Sequence, residues 1–154
     1  MKEKKIHDPT SMHEVAIVYK RPLFDTMPHI TNSEDVNSII KEVVDLNTLD
    51  LKEFFWVLLL NNGNRVLGIA EIGRGDTKAV TVNVKEIFQL VIKTNAVGLV
   101  LCHNHPSGIL KPSEADKAMT KKIKEASKLF SVSLLDHVII TSEDYYSFVD
   151  GGLI

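Results

Sequence analysis

Two histidines and an aspartate carry the clearest chemistry in this chain. His103 and His105 stand two apart where an apolar run, residues 97–102, reads as a buried strand. Alternate residues of an extended chain share a face, so both imidazoles project to one side. A polar loop containing Pro106, Gly108 and Pro112 follows, the prolines stiffening it. Asp116 lies in the first turn of the next helix, where it can face back toward the strand end. Two neutral imidazoles and one carboxylate are the ligand set of a catalytic zinc that keeps a fourth position open. The segment also has a plainer reading, because Ser113-x-x-Asp116 is a helix N-terminal capping pattern.

Hydrolysis at such a site needs a base that takes a proton from water. Two glutamates beside apolar strands offer one. Glu53 opens the run Phe54–Leu60, and Glu71 stands near the end of the strand that follows. A carboxylate at the edge of a buried strand is partly desolvated, which raises its pKa toward a useful value. Each glutamate also reads simply as a solvated residue at a strand end.

The elements that must position these groups follow from periodicity and punctuation. Residues 14–19 read as a short strand, and Pro22 and Pro28 mark a loop. Ser33 is the expected N-cap of a helix carrying Val36, Ile39, Ile40, Val43 and Val44 on one stripe. Phe54–Leu60 is a continuous β-favouring run, as in a strand buried on both faces. Asn61-Asn62-Gly63-Asn64 turns it into a second strand over residues 65–72, making a hairpin. Residues 79–84 read as a further strand, and a helix follows to Thr94. The clearest helix spans 113–130, with Ala115, Met119, Ile123, Ala126 and Phe130 inward. Short strands are expected at 132–135, 137–141 and 145–148. Interspersed strands and helices, with a hairpin as well as crossovers, imply an α/β sandwich with a mixed sheet.

Composition bounds the function. A chain of 154 residues, 44% apolar and 25% charged, is one ordinary globular domain able to bury a core without cross-links. With 18 basic against 20 acidic residues the net charge is −2, which argues against a protein devoted to wrapping a nucleic-acid backbone. Cys102 is the single cysteine, so neither an internal disulfide nor a cysteine zinc knuckle is expected, in keeping with a reducing compartment. It directly precedes His103, and alternation turns its side chain away from both histidines. No signal-like apolar segment or membrane-length run is seen, and a cytoplasmic location is expected. The lysines at 117, 121, 122, 124 and 128 read as a solvated helix face. Phe54, Phe55 and Trp56 read as core, and the acid–imidazole pair Asp136-His137 reads either as support behind the metal ligands or as structural, with no catalytic role.

The spacing His103-x-His105, seven residues, Ser113, two residues, Asp116 matches the JAMM motif of the JAB1/MPN metalloprotease family. The longer pattern HNHPSG…PS..D, with Leu135-Asp136-His137-Val138-Ile139 downstream, resembles the RadC-like branch, which carries a DNA-repair label. The resemblance covers roughly residues 30–154. It implies a JAB1/MPN-like (cytidine-deaminase-like) α/β sandwich, with an N-terminal extension of one short strand over 1–30 and the domain proper over 31–154. It implies zinc held by His103, His105 and Asp116. Ser113 would donate a hydrogen bond to the oxyanion of a tetrahedral intermediate, and an upstream glutamate would be the general base. That glutamate opens a core strand in the family, which favours Glu53, with Glu71 the alternative. Longer RadC-like proteins carry a helix-hairpin-helix DNA-binding region, and nothing before Ser33 resembles one. The expected activity is zinc-dependent hydrolysis of amide bonds in a peptide or protein, with no membrane partner. The alternatives are a non-catalytic module associated with DNA repair and a metal-dependent nuclease.

Overall fold

The run Phe54–Leu60 is a strand whose seven residues are all buried, which explains its lack of polar alternation. In this computed structural model, which describes residues 18–75 and 81–154, it forms β1. β2 (Val66–Arg74) returns beside it through the Asn-rich turn, where Asn64 takes a positive φ of 55°. α1 (Ser33–Val43) precedes the hairpin. After it come α2 (Val84–Thr94), β3 (Gly98–Asn104), α3 (Glu114–Leu129), β4 (Ser133–Ile140) and β5 (Tyr145–Ser147). The sheet order is β2-β1-β3-β4-β5. Only β3 and β4 are parallel, joined by the α3 crossover, so the sheet is mixed as expected.

Each sheet face has its own apolar layer. Phe55, Val57, Leu59, Leu99 and Leu101 pack with Ile87, Phe88 and Val91 of α2 and Ile123 of α3. Phe54, Trp56, Leu58, Val100 and Cys102 pack with Val36, Ile39 and Ile40 of α1 on the other side. Burying both faces removes the apolar surface from water at roughly 25 cal/mol per Å². Strand parity therefore decides which strand side chains reach the site, since a one-residue change moves a side chain from the α2/α3 face to the α1 face.

Several expected elements differ in detail. The N-cap of α1 is Asn32, not Ser33. Its side chain accepts from Asp35 N at 3.1 Å, and Asp35 answers by accepting from Asn32 N, a reciprocal capping box. Residues 14–17 of the first expected strand lie outside the described residues, and Val18 and Tyr19 form no strand. Of the strand expected at 79–84, residues 79–80 lie outside the described residues. Residues 81–83 are not a strand, because Asn83 caps α2 by accepting from Glu86 N at 3.3 Å. Of the expected α3 stripe, Ile123 is fully buried and Met119 and Ala126 pack partly buried against the same layer, with Thr120 and Ser127 buried beside them, while Ala115 is exposed and Phe130 stays 45% exposed and stacks on Phe88.

β4 is one strand where two were expected. Opposite β3 its register shifts between Leu99 and Val100, which pair with Leu134 and Asp136 and leave Leu135 as an extra residue. This bulge falls at the break that sequence patterning suggested, and it resets the alternation. Leu134 packs in the α2/α3 layer, and beyond the bulge His137 reaches that same face. Without the extra residue, alternation from Leu134 would turn His137 toward α1.

Candidate metal centre

β3 extends through His103 and Asn104, further than the apolar run alone indicates. His103 lies opposite Phe55 of β1, on the α2/α3 face, and its ring stacks on Phe55 at 5.9 Å between centroids. His105 follows the strand end, held by its own N–H to the carbonyl of Ile140 at 3.0 Å. The loop then turns at Gly108, whose N–H reaches the His105 carbonyl at 3.0 Å and whose φ of +79° suits glycine. Ser113 caps α3. Its hydroxyl oxygen accepts from Asp116 N at 3.1 Å, and Asp116 Oδ2 accepts from Ser113 N at 2.7 Å. The capping pattern is real, and it aims the Asp116 carboxylate back at the histidines.

Three groups converge. His103 Nε2 and His105 Nε2 are 2.9 Å apart, Asp116 Oδ1 is 3.3 Å from the first and Asp116 Oδ2 is 3.5 Å from the second. Two ligands on a tetrahedral zinc at about 2.0–2.1 Å stand about 3.3 Å from each other, so these separations are of the size a coordination shell would have. The orientation of His105 also fits. Its Nδ1 lies 2.6 Å from the carbonyl of Ile109, which can only accept, so Nδ1 carries the proton. In the neutral ring Nε2 is then bare and available to a cation. Glu53, His103 and His105 also form a group whose ligand atoms all lie within 4.8 Å of one another. Two imidazoles and carboxylates suit a borderline divalent ion such as zinc.

The electrostatics agree with a cation site. Burial raises the carboxyl of Asp116, but the neighbouring His103 and His105 imidazoles outweigh it and hold the group far below the usual carboxylate range. Burial lowers the imidazole of His105, but the adjacent Asp116 carboxylate and the Ile109 carbonyl favour its charged form, outweigh that and raise it. His137, fully buried beside His103, is pushed well below the ordinary histidine value, first by burial and then by the charge of His103.

The two candidate glutamates part company. Glu53 precedes Phe54 and by parity belongs with Phe55 on the histidine face, where it is buried to 9% exposure. Glu71 pairs across the strands with Trp56, on the α1 face, and its carboxylate binds Arg74 Nε at 2.8 Å. A cleft of about 350 Å³ contains Glu53, His103, His105, Ser113 and Asp116. A larger groove of about 770 Å³ lies on the opposite side, between α1 and β2, and holds Glu71 but neither histidine. Cys102 is fully buried opposite Trp56 in the α1 layer, away from the ligands, and burial pushes its thiol far up. Lys117, on the basic side of α3, is engaged by Glu114 at 2.8 Å.

Sequence reasoning missed two residues that the structure builds into the surroundings of the site, Asn104 and Thr120, and left the place of a third, His137, open. Asn104, between the two histidines, bonds the backbone on either side of Glu53. His137 meets His103 ring to ring, and Thr120 meets His137. Thr120 stands four residues after Asp116, one helical turn on the same face, and that spacing was the available signal.

Residues 30–153 match the profile of the RadC-like JAB domain. A UPF0758 protein of Flavobacterium johnsoniae is 48% identical over 124 residues, covering 80% of this chain and 53% of the relative. A UPF0758 protein of Tolumonas auensis is 45% identical over 101 residues, covering 66% of this chain and 45% of its own. One of Idiomarina loihiensis is 40% identical over 103 residues, covering 67% and 46%. The chain thus spans about half the length of the curated relatives it matches. No helix among the described residues is long and apolar enough to cross a membrane. With the α/β fold, the mixed sheet and the convergent histidine–carboxylate cluster, these matches make the chain a member of the RadC-like JAB domain family.

Proposed function

We propose that this domain is a zinc-dependent hydrolase of amide bonds in peptide or protein substrates. The observation that carries the proposal is the convergence of His103, His105 and Asp116 on one another, with Glu53 on the same sheet face. In this reading His103 Nε2, His105 Nε2 and an Asp116 carboxylate oxygen hold the ion. Bound zinc supplies Lewis acidity toward a carbonyl oxygen and makes water more acidic.

The chain's own groups supply the rest. The Glu53 carboxylate takes a proton from the attacking water and returns it to the leaving amine nitrogen. The Ser113 hydroxyl, whose oxygen already accepts from Asp116 N, keeps its hydrogen to donate to the developing oxyanion. Capping and catalysis therefore use different parts of one hydroxyl. The low exposure of Glu53 and His103 keeps competing water from the reacting groups.

The test is metal content followed by turnover. Purified protein is expected to hold one zinc per chain, lost in His103→Ala and Asp116→Ala, and to cleave a peptide library in a zinc-dependent manner. Protein that takes up no zinc on addition overturns the proposal, and so does zinc-loaded protein that cleaves nucleic acid but no amide.

A further inference from the structure

Behind His103 runs a chain of three hydrogen bonds, two of them buried. His103 Nδ1 lies 2.8 Å from His137 Nε2, and His137 Nδ1 lies 2.6 Å from Thr120 Oγ1. Thr120 Oγ1 in turn donates to the backbone carbonyl of Asp116 at 2.7 Å. His103, His137 and Thr120 are each 3% exposed or less. The chain begins at one histidine of the metal centre and ends on the residue that supplies its carboxylate.

Its direction is fixed from the far end. A carbonyl only accepts, so the single hydroxyl hydrogen of Thr120 is spent on Asp116. Thr120 then offers His137 only lone pairs, and His137 Nδ1 must carry a proton. In the neutral ring His137 Nε2 is bare and faces His103 Nδ1, which must therefore be the donor. His103 Nε2 is left with its lone pair toward His105 and Asp116. The opposite direction would spend the Thr120 hydrogen on His137 and lose the bond to Asp116. It would also place a proton on His103 Nε2, where a cation would bind.

We infer that Thr120 and His137 are positioning residues that lock His103 into the Nδ1–H tautomer, so that its Nε2 is ready to bind metal. The inference rests on the proposed metal-site reading, and it gives a reason for the bulge in β4, which brings His137 onto this face. His105 gets the same tautomer from the Ile109 carbonyl, so the two histidines are preset by separate devices. Partners of this kind orient ligand rings, and losing one weakens metal binding about 10–100-fold.

Two measurements on the whole 154-residue chain test this. Two-bond proton–nitrogen NMR spectra of metal-free wild type should show His103 and His137 both protonated at Nδ1. In Thr120→Val the hydroxyl is lost at nearly constant shape, and His103 should shift toward the Nε2–H form. Zinc affinity, read by chelator competition, should then fall about 10–100-fold in Thr120→Val and stay near wild type in Thr120→Ser. A second pair guards against misfolding. His137→Gln, which keeps an acceptor toward His103 and a donor toward Thr120, should retain more zinc affinity than His137→Leu. A His103 without a proton on Nδ1 in wild type overturns the inference, as does equal zinc affinity in all four variants. Wild type that takes up no zinc defeats the metal reading instead, while its NMR spectrum still reports on the hydrogen-bond chain.

Discussion

The side-chain oxygen of Asn104 accepts the backbone N–H of Phe54 at 2.7 Å, so the residue between the two histidines holds the chain just past Glu53. Its amide nitrogen donates to the carbonyls of Leu49 and Lys52 at 2.8 and 2.7 Å. Strand parity sends Asn104 to the face opposite His103, and there it ties down the segment that delivers the glutamate. An asparagine suits the position because it alone offers one acceptor and two donors in a short planar group.

Asn104→Ala would leave three backbone groups without their partner. At roughly 1 kcal/mol for each net hydrogen bond, and more where a buried group stays unsatisfied, the expected loss is about 2–4 kcal/mol. Urea unfolding measures it. Zinc uptake should survive, since Asn104 touches none of the three proposed ligands. A loss below about 0.5 kcal/mol would show that the Glu53 segment is held by other contacts.

Glu53→Gln and Glu71→Gln should behave oppositely. The first keeps shape and zinc but removes the proposed base, and kcat should fall about 10²–10⁴-fold. The second breaks only the exposed ion pair with Arg74, worth about 0–1 kcal/mol, and should leave kcat unchanged. Steady-state kinetics on a cleaved peptide decides between them. A large kcat loss in Glu71→Gln alone would reassign the base.

Much of the centre was legible because His103, His105, Ser113 and Asp116 lie on one strand, one loop and one helix start, where local geometry is enough. Glu53 could be placed by counting, since it shares parity with Phe55, the partner of His103. Glu71 could be set aside only once its partner proved to be Trp56, a matter of hairpin register interrupted by a bulge between Phe55 and Trp56. Whether His137 supports the site or is merely structural stayed open for the same reason. Its face depends on the extra residue Leu135 in a parallel pairing that a linear pattern does not reveal. The continuous apolar runs of β1 and β3 marked strands well, while the short β-favouring stretch before α2 reads as strand or cap according to a single residue, Asn83.

Ser113 separates capping from catalysis. Ser113→Ala removes both and should cost about 1 kcal/mol of stability along with activity. Ser113→Gly costs the cap only a few tenths of a kcal/mol, because glycine is tolerated at N-caps, yet it lacks the hydroxyl. The proposed oxyanion role predicts that both variants lose about 10²–10³ in kcat, whatever their thermal stability. If activity follows the melting temperature instead, Ser113 acts through the helix cap alone.

The α1 cap should make stability depend on acid in a defined window. Asp35 accepts from the Thr31 hydroxyl at 2.6 Å, from Thr31 N at 2.7 Å and from Asn32 N at 3.2 Å. These bonds, the Thr31 hydroxyl first, hold its carboxyl below the ordinary value of 3.8. The unfolded chain therefore binds more protons than the folded one just below pH 3.8, and stability rises with pH through that window. The stabilising contribution is complete above the unfolded value and is lost as pH falls through the folded one. Asp35→Asn cannot titrate, so the advantage of wild type over this variant should be full at pH 7 and shrink below pH 3.8. Urea midpoints of the two proteins across that range measure it. An advantage that stays constant with pH would mean the carboxylate contributes no charge-dependent stability to the cap.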